Sequence, residues 1–181
     1  WDVIDLCLMK REVLKTMTTE PENDTLVVYF SRTGNTEKIA EYLIELTDAD
    51  SYVIRAAVPY TDDDIKYQDD NCRANKEQSD KTVRPEIADP ISSIDSYDTI
   101  FLGYPIWWGQ EPRIIDTFLE SYDFSDKTVI PFCTSASSGL GQSGKLLKKM
   151  AGTGDWQDGE RFSSGASASD VTSWVNGLGL K

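Results

Sequence analysis

A chain of 181 residues with 39% apolar content is sized for one globular domain, since two domains would each have too thin a core. Its 18 Lys and Arg against 31 Asp and Glu leave a net charge of −13, which opposes nucleic-acid binding, where a positive surface must displace phosphate counterions. The complete lack of histidine removes Ser-His-Asp and Cys-His catalytic pairs and any His-ligated zinc.

In chain order, residues 1–16 are apolar but interrupted by Asp2 and Asp5, and the basic Lys10 and Arg11 follow the apolar run. That order is wrong for a signal peptide. Residues 1–24 are expected to be an N-terminal extension, in which 1–16 are either a short added segment or the product of a start placed upstream of a natural one near Met17. The competing expectation is a docked amphipathic helix with Val3, Leu6, Val13, Leu14 and Met17 on one face. No stretch approaches the ~18–20 apolar residues of a membrane span.

From residue 25 to 181 strand-like and helix-like patterns alternate, which predicts a single α/β domain with a parallel sheet. Thr25–Phe30 is a continuous β-branched and aromatic run, as in a strand buried on both faces. A helix follows from about Thr36 to Leu46, with Ile39, Ala40, Leu43 and Ile44 on one stripe, then a short strand over Ser51–Arg55. Residues 56–97 crowd Asp62, Asp63, Asp64, Asp69 and Asp70 and are read as a solvated loop holding one helix near Asp70–Ser79. Thr99–Tyr104 is a third strand. Pro112 suits the first turn of a helix that turns Ile114, Ile115, Phe118 and Leu119 inward. Lys127–Cys133 is a fourth strand, followed by a helix carrying Leu146, Leu147 and Met150 and a weak fifth strand near Gly159–Ser163. Ser169 is the expected N-cap of a final helix over Asp170–Leu178. Cys7, Cys72 and Cys133 form no C-x-x-C pair and no disulfide framework, which points to reduced thiols and a cytoplasmic address, with an exported form as the alternative.

Three polar loops follow strands one, three and four, and in an open parallel sheet such loops gather where ligands bind. Ser31-Arg-Thr-Gly-Asn-Thr36 packs hydroxyls, an amide and a glycine before a helix start, where free N–H groups attract anions. It lacks the lysine of G-x-x-x-x-G-K-[ST] and the spacing of G-x-G-x-x-G, so a terminal phosphate is the better occupant than a nucleotide triphosphate or dinucleotide. The bland alternative is an ordinary helix cap. Gly103-Tyr-Pro-Ile-Trp-Trp-Gly109 offers flat faces to a planar ligand, or else two rings that cap the core. Thr134-Ser-Ala-Ser-Ser-Gly-Leu-Gly141 permits close backbone approach to a polar ring edge.

Taken together, these loops resemble those of the flavodoxin family. Ser31–Thr36 is similar to its phosphate loop, Tyr104–Gly109 to its first flavin loop, and Pro131–Gly141 to the second flavin loop of a subfamily. The resemblance implies a three-layer sandwich with a five-stranded parallel sheet of order 2-1-3-4-5, and FMN as cofactor. It implies that Ser31, Arg32, Thr33, Gly34, Asn35 and Thr36 surround the phosphate. Pro105, Ile106, Trp107, Trp108 and Gly109 would meet the flavin, with Trp107 or Trp108 stacked on it. Thr134, Ser135, Ala136, Ser137, Ser138 and Gly139 would line its pyrimidine side. The tyrosine that electron-transfer flavodoxins commonly carry in this last loop is absent from Thr134–Gly141.

The function implied is low-potential electron transfer, and the acidic balance is read either as a solubility feature or as a docking field for redox partners with basic surfaces. Acidic surroundings disfavour a negatively charged reduced flavin, each unit charge at ~10 Å being worth roughly 0.4 kcal/mol in water. The alternatives are a small FMN-dependent NAD(P)H:quinone-type oxidoreductase and a module that keeps the fold without flavin. Arg32 and Arg113 are expected to be solvated cations, and Cys133 a small core residue.

Overall fold

A computed structural model describes residues 23–180, so the readings of residues 1–16 lie outside the described residues. The strands are β1 (Thr25–Tyr29), β2 (Asp50–Val53), β3 (Arg55–Ala56), β4 (Ile87–Ala88), β5 (Thr99–Pro105), β6 (Thr128–Thr134), β7 (Asp155–Trp156) and β8 (Glu160–Phe162). The helices are α1 (Asn35–Thr47), α2 (Arg73–Ser79), α3 (Arg113–Ser121), α4 (Ser143–Ala151) and α5 (Ala168–Leu178), with a 3₁₀ turn at Asp63–Ile65.

The main sheet runs β2-β1-β5-β6, and β7 and β8 both pair with β6; every pairing is parallel. The expected order 2-1-3-4-5 holds by position, but its fifth place is shared by two short strands. Gly159 lies between them, where a Cβ would collide with the carbonyl oxygen of Pro131. The edge therefore breaks at 157–159 and resumes one step on. A separate antiparallel ribbon, β3 with β4, closes residues 57–86 of the 56–97 insertion, which sequence patterning reads as irregular.

Strand alternation divides the core. Leu26, Val28 and Phe30 point to the face covered by α3 and α4, together with Ile114, Ile115, Phe118 and Leu119. Val27 and Tyr29 point to the face covered by α1 and α5, with Ile39, Leu43 and Val171. Each large apolar side chain so buried contributes about 1.5–3 kcal/mol. In α4, Leu147 is buried whereas Leu146 is exposed, so the inward stripe is narrower than the pattern implies.

Helix ends move by small amounts with clear causes. The cap of α5 is Ser167, not Ser169: the Ser167 hydroxyl accepts from Asp170 N while the Asp170 carboxylate accepts from Ser167 N, a reciprocal box that Ser169 cannot form. Helix α2 begins at Arg73 because the Cys72 sulfur accepts from Asn75 N at 3.4 Å. Pro112 precedes α3 as its cap residue.

Gly103 sits on β5 opposite Phe132 of β6, and an added Cβ would enter the space of the Phe132 ring. Gly103→Ala is expected to lower stability by about 1–3 kcal/mol through overpacking. Urea unfolding of the two proteins measures it, and equal midpoints would show that the ring can retreat.

Candidate functional site

Because β1, β5 and β6 are adjacent and parallel, the loops after them open on one edge of the sheet. The first loop enters α1 through Gly34, which holds φ at +87° and gives the helix no side-chain cap. That left-handed conformation suits glycine, and no atom lies within 4 Å of where a Cβ would stand. The Ser31 hydroxyl accepts from Gly34 N at 3.2 Å and the Thr33 hydroxyl accepts from Asn35 Nδ2 at 3.3 Å. Backbone N–H groups of Asn35, Thr36 and Glu37 have no backbone partner among the described residues. The result is an open, amide-rich start to a helix of 13 residues, flanked by hydroxyls.

The Thr36 hydroxyl bonds that of Thr134 at 2.7 Å, a buried link between the first and third loops. Arg32 behaves otherwise: its guanidinium pairs with Asp62, so it turns toward the insertion, and it is only partly exposed.

The second loop folds into a two-residue turn. Trp107 and Gln110 exchange backbone hydrogen bonds of 2.8 and 3.1 Å, with Trp108 at φ +50° and Gly109 at φ +75°. Two successive positive φ values define the twisted hairpin turn for which glycine and asparagine are usual. A tryptophan there costs about 1–2 kcal/mol. The two indoles separate in role. Trp107 packs edge-on against Phe30 and Tyr60, with centroids 5.6 and 5.3 Å away. Trp108 stays 42% exposed. Ile106 N donates to Thr134 O at 3.0 Å, joining the second loop to the third.

Trp107, Trp108 and Ile106 line an open cleft of about 410 Å³ whose remaining walls are Ile65 and Tyr67. Tyr67 comes from the insertion and is 69% exposed. Neither wall residue is visible in the loop motifs. The available signal is an aromatic side chain in an Asp-rich stretch otherwise read as solvated.

Buried charge braces the turn from below. Arg113 is only 3% exposed, correcting its reading as a solvated cation. It caps α2 by donating to Glu77 O and Gln78 O at 3.4 and 3.2 Å, holds Gln110 Oε1 at 3.1 Å and pairs with Asp116 at 3.3 Å. Gln78 Nε2 then donates to both Trp107 O and Glu111 O at 3.0 Å. The tryptophan turn is thereby tied to the insertion through α2. Burial pushes the Glu111 carboxyl up to about 7 and raises that of Asp116, against the lowering pull of Arg113. Burial likewise pushes the Cys133 thiol up to about 12, which leaves it an inert core residue.

Ser135, Ala136, Ser137, Ser138 and Gly139 continue the third loop beyond Thr134. Arg161 on β8, which sequence patterning does not single out, donates to Ser135 O at 2.8 Å and Ala136 O at 2.7 Å. Among the described residues no cluster of acidic and thiol groups could hold a metal ion, and no described helix is long and apolar enough to cross a membrane.

A family model described as flavodoxin matches residues 24–178. A candidate flavoprotein of Bacteroides eggerthii is 38% identical, covering 87% of this chain and 98% of its own, with a TM-score of 0.81. One of Bacteroides uniformis is 42% identical, covering 85% and 98%, also at 0.81. A Lactobacillus acidophilus flavoprotein, whose crystal structure is a complex with FMN, is 27% identical over 83% and 97%, with a TM-score of 0.59. No curated protein matches the chain.

The Glu111 carboxyl supplies a pH test of the brace. Its ordinary value is 4.5 and its folded value about 7, so the folded state holds the proton more tightly than the unfolded state. The stability linked to that proton is full below 4.5 and lost as pH rises through 7. Glu111→Gln should flatten this loss, so that the variant gains on the parent between pH 5 and pH 8 in urea unfolding. Parallel pH profiles would mean that Glu111 does not titrate in that window.

Proposed function

The chain belongs to the flavodoxin family, and we propose that it binds FMN and uses it to carry electrons to a protein partner. The observation that carries this reading is the uncapped start of α1, where Gly34 and unpartnered amides meet the hydroxyls of Ser31, Thr33 and Thr36. FMN is a phosphomonoester joined to a planar ring with one apolar and one polar end. The residues present suit each part. Ser31–Thr36 would hold the phosphate without lysine or metal. The exposed indole of Trp108 would lie against the ring, while Trp107 is already committed to Phe30 and Tyr60. Thr134 to Gly139 would meet the polar edge. The Arg32 side chain, engaged by Asp62, would leave the phosphate to the amides and hydroxyls of this loop.

Bound FMN supplies reversible one- and two-electron chemistry at its ring, and the chain's own residues contribute position and field. Ile65, Ile106 and the indoles would shield one side of the bound ring from water. Exposed Asp69 and Asp70, two and three residues after Tyr67, add negative charge to this part of the insertion, while Asp63 is paired with Lys66. Such a field lowers the potential of a flavin that becomes anionic on reduction, and it steers basic partners toward the cleft. Unpaired, buried Cys72 and Cys133 suit a reducing compartment, and cytoplasmic residence is part of the same reading. A second reading, an FMN-dependent quinone-type oxidoreductase, is favoured by one feature, the aromatic cleft open to a planar acceptor between Tyr67 and Trp108.

Purified protein should titrate with FMN in calorimetry and shift the flavin absorbance. Riboflavin, which lacks the phosphate, should bind at least about tenfold more weakly, and Trp108→Ala should cost FMN a similar factor. Equal binding of FMN and riboflavin would remove the phosphate loop from the account. To separate carrier from reductase, the FMN-loaded protein is mixed with NADPH and a quinone and no other enzyme. A carrier leaves NADPH unoxidised, whereas sustained turnover would move the assignment to the second reading.

A further inference from the structure

The third loop is held from behind by a cation whose purpose the phosphate and stacking sites do not explain. Arg161 is paired through β8 with Cys133 of β6, one residue before the loop begins, and is half-buried there. Its Nη2 donates to Ser135 O at 2.8 Å and to Ala136 O at 2.7 Å, and its Nε to the Ser135 hydroxyl at 3.1 Å. That hydroxyl in turn donates to Ser138 O. Among the described residues no carboxylate lies within ion-pair distance of the guanidinium. In a chain with a net charge of −13, such a cation is placed where its field is felt by whatever the loop binds.

Peptide geometry fixes the consequence. In a trans peptide the C=O and the following N–H point in opposite directions. Capturing the carbonyls of Ser135 and Ala136 therefore turns the N–H groups of Ala136 and Ser137 to the opposite side of the loop. The bond to Ser138 O does the same for Gly139 N. None of these three amides has a backbone partner among the described residues. Donors whose carbonyls rest on a cation are also polarised by it. The loop thus presents a fan of strengthened donors backed by positive charge, and only an acceptor that is or becomes negative uses it fully.

Resting on the reading that this protein binds FMN, we propose that Arg161 is a positioning and charge-compensating residue that makes the site hold reduced FMN more tightly than it otherwise would. The phosphate has its own nest at α1, so the ring's polar edge is the remaining set of acceptors on the ligand. Reduction by two electrons with uptake of one proton leaves a single negative charge on that edge, at N1 and the C2 carbonyl. Arg161 and the amides of Ala136 and Ser137 oppose the acidic field there and limit how far the potential falls.

The experiment uses full-length FMN-loaded protein, reduced with dithionite beside a reference dye, and measures the Kd of oxidised FMN separately. Arg161→Gln should weaken reduced FMN about tenfold more than oxidised FMN, which for a two-electron couple is a fall of ~30 mV. Arg161→Lys, which keeps the charge but loses the fork, should weaken both forms together and keep their ratio within about threefold. An unchanged potential in Arg161→Gln with FMN still bound overturns the inference alone, whereas failure of the parent protein to bind FMN overturns the functional reading beneath it. Should Arg161→Gln not fold, amide exchange of the parent decides: Ala136 and Ser137 are to be protected on FMN binding and more so after reduction. Exchange that ignores both steps sinks the proposal.

Discussion

Parallel pairing of β1, β5 and β6 is the constraint on which the rest of the molecule depends. Three neighbouring strands that run the same way must end on the same edge, so three loops far apart in sequence come within contact range. Short bonds then lock them together. The Thr36 and Thr134 hydroxyls span 98 positions of sequence at 2.7 Å, and Ile106 N reaches Thr134 O. Without the parallel register each loop would be an ordinary turn, since none holds a complete site by itself.

The site is built on polar groups that folding orders but does not satisfy. An uncapped helix start, a left-handed tryptophan and a fan of unpartnered amides each cost stability in isolation. They persist because the layers below are over-determined. Large side chains of β1, β5 and β6 are buried on both faces of the sheet. The Arg113 network adds a second support. It ties the tryptophan turn to α2 and so makes the acidic insertion part of the cleft instead of a detachable loop. A buried guanidinium between Glu111 and Asp116 is an expensive way to hold a turn, and its value lies in rigidity more than in net stability.

The same contrast runs through the charge distribution. Exposed Asp69 and Asp70 of the insertion form no ion pair among the described residues and contribute a screened field, whereas Arg161 acts at short range on two peptide groups. Net charge describes the former well and the latter not at all. A strongly acidic protein can therefore carry a local positive environment at the one edge where it matters.

Sequence patterning by itself determined the α/β class, the helices α1, α3 and α5 to within a few residues, and the three loop motifs. These follow from short-range physics: period-two and period-3.6 burial, turn chemistry and hydroxyl-rich helix starts. The split edge strand, the β3–β4 ribbon and the Ser167 cap were decided by close approaches and reciprocal bonds that periodicity does not encode. Which tryptophan stays free was likewise a tertiary decision, because Phe30 and Tyr60 lie 77 and 47 residues from Trp107 and claim that ring alone. Arg113 and Arg161 make the point for charge: the first reads as solvated and the second is not singled out, and only the packing of α2 and the pairing of β8 show one buried and the other anchored beneath a loop. Local sequence sets what each segment prefers, and long-range contact sets what its side chains can touch.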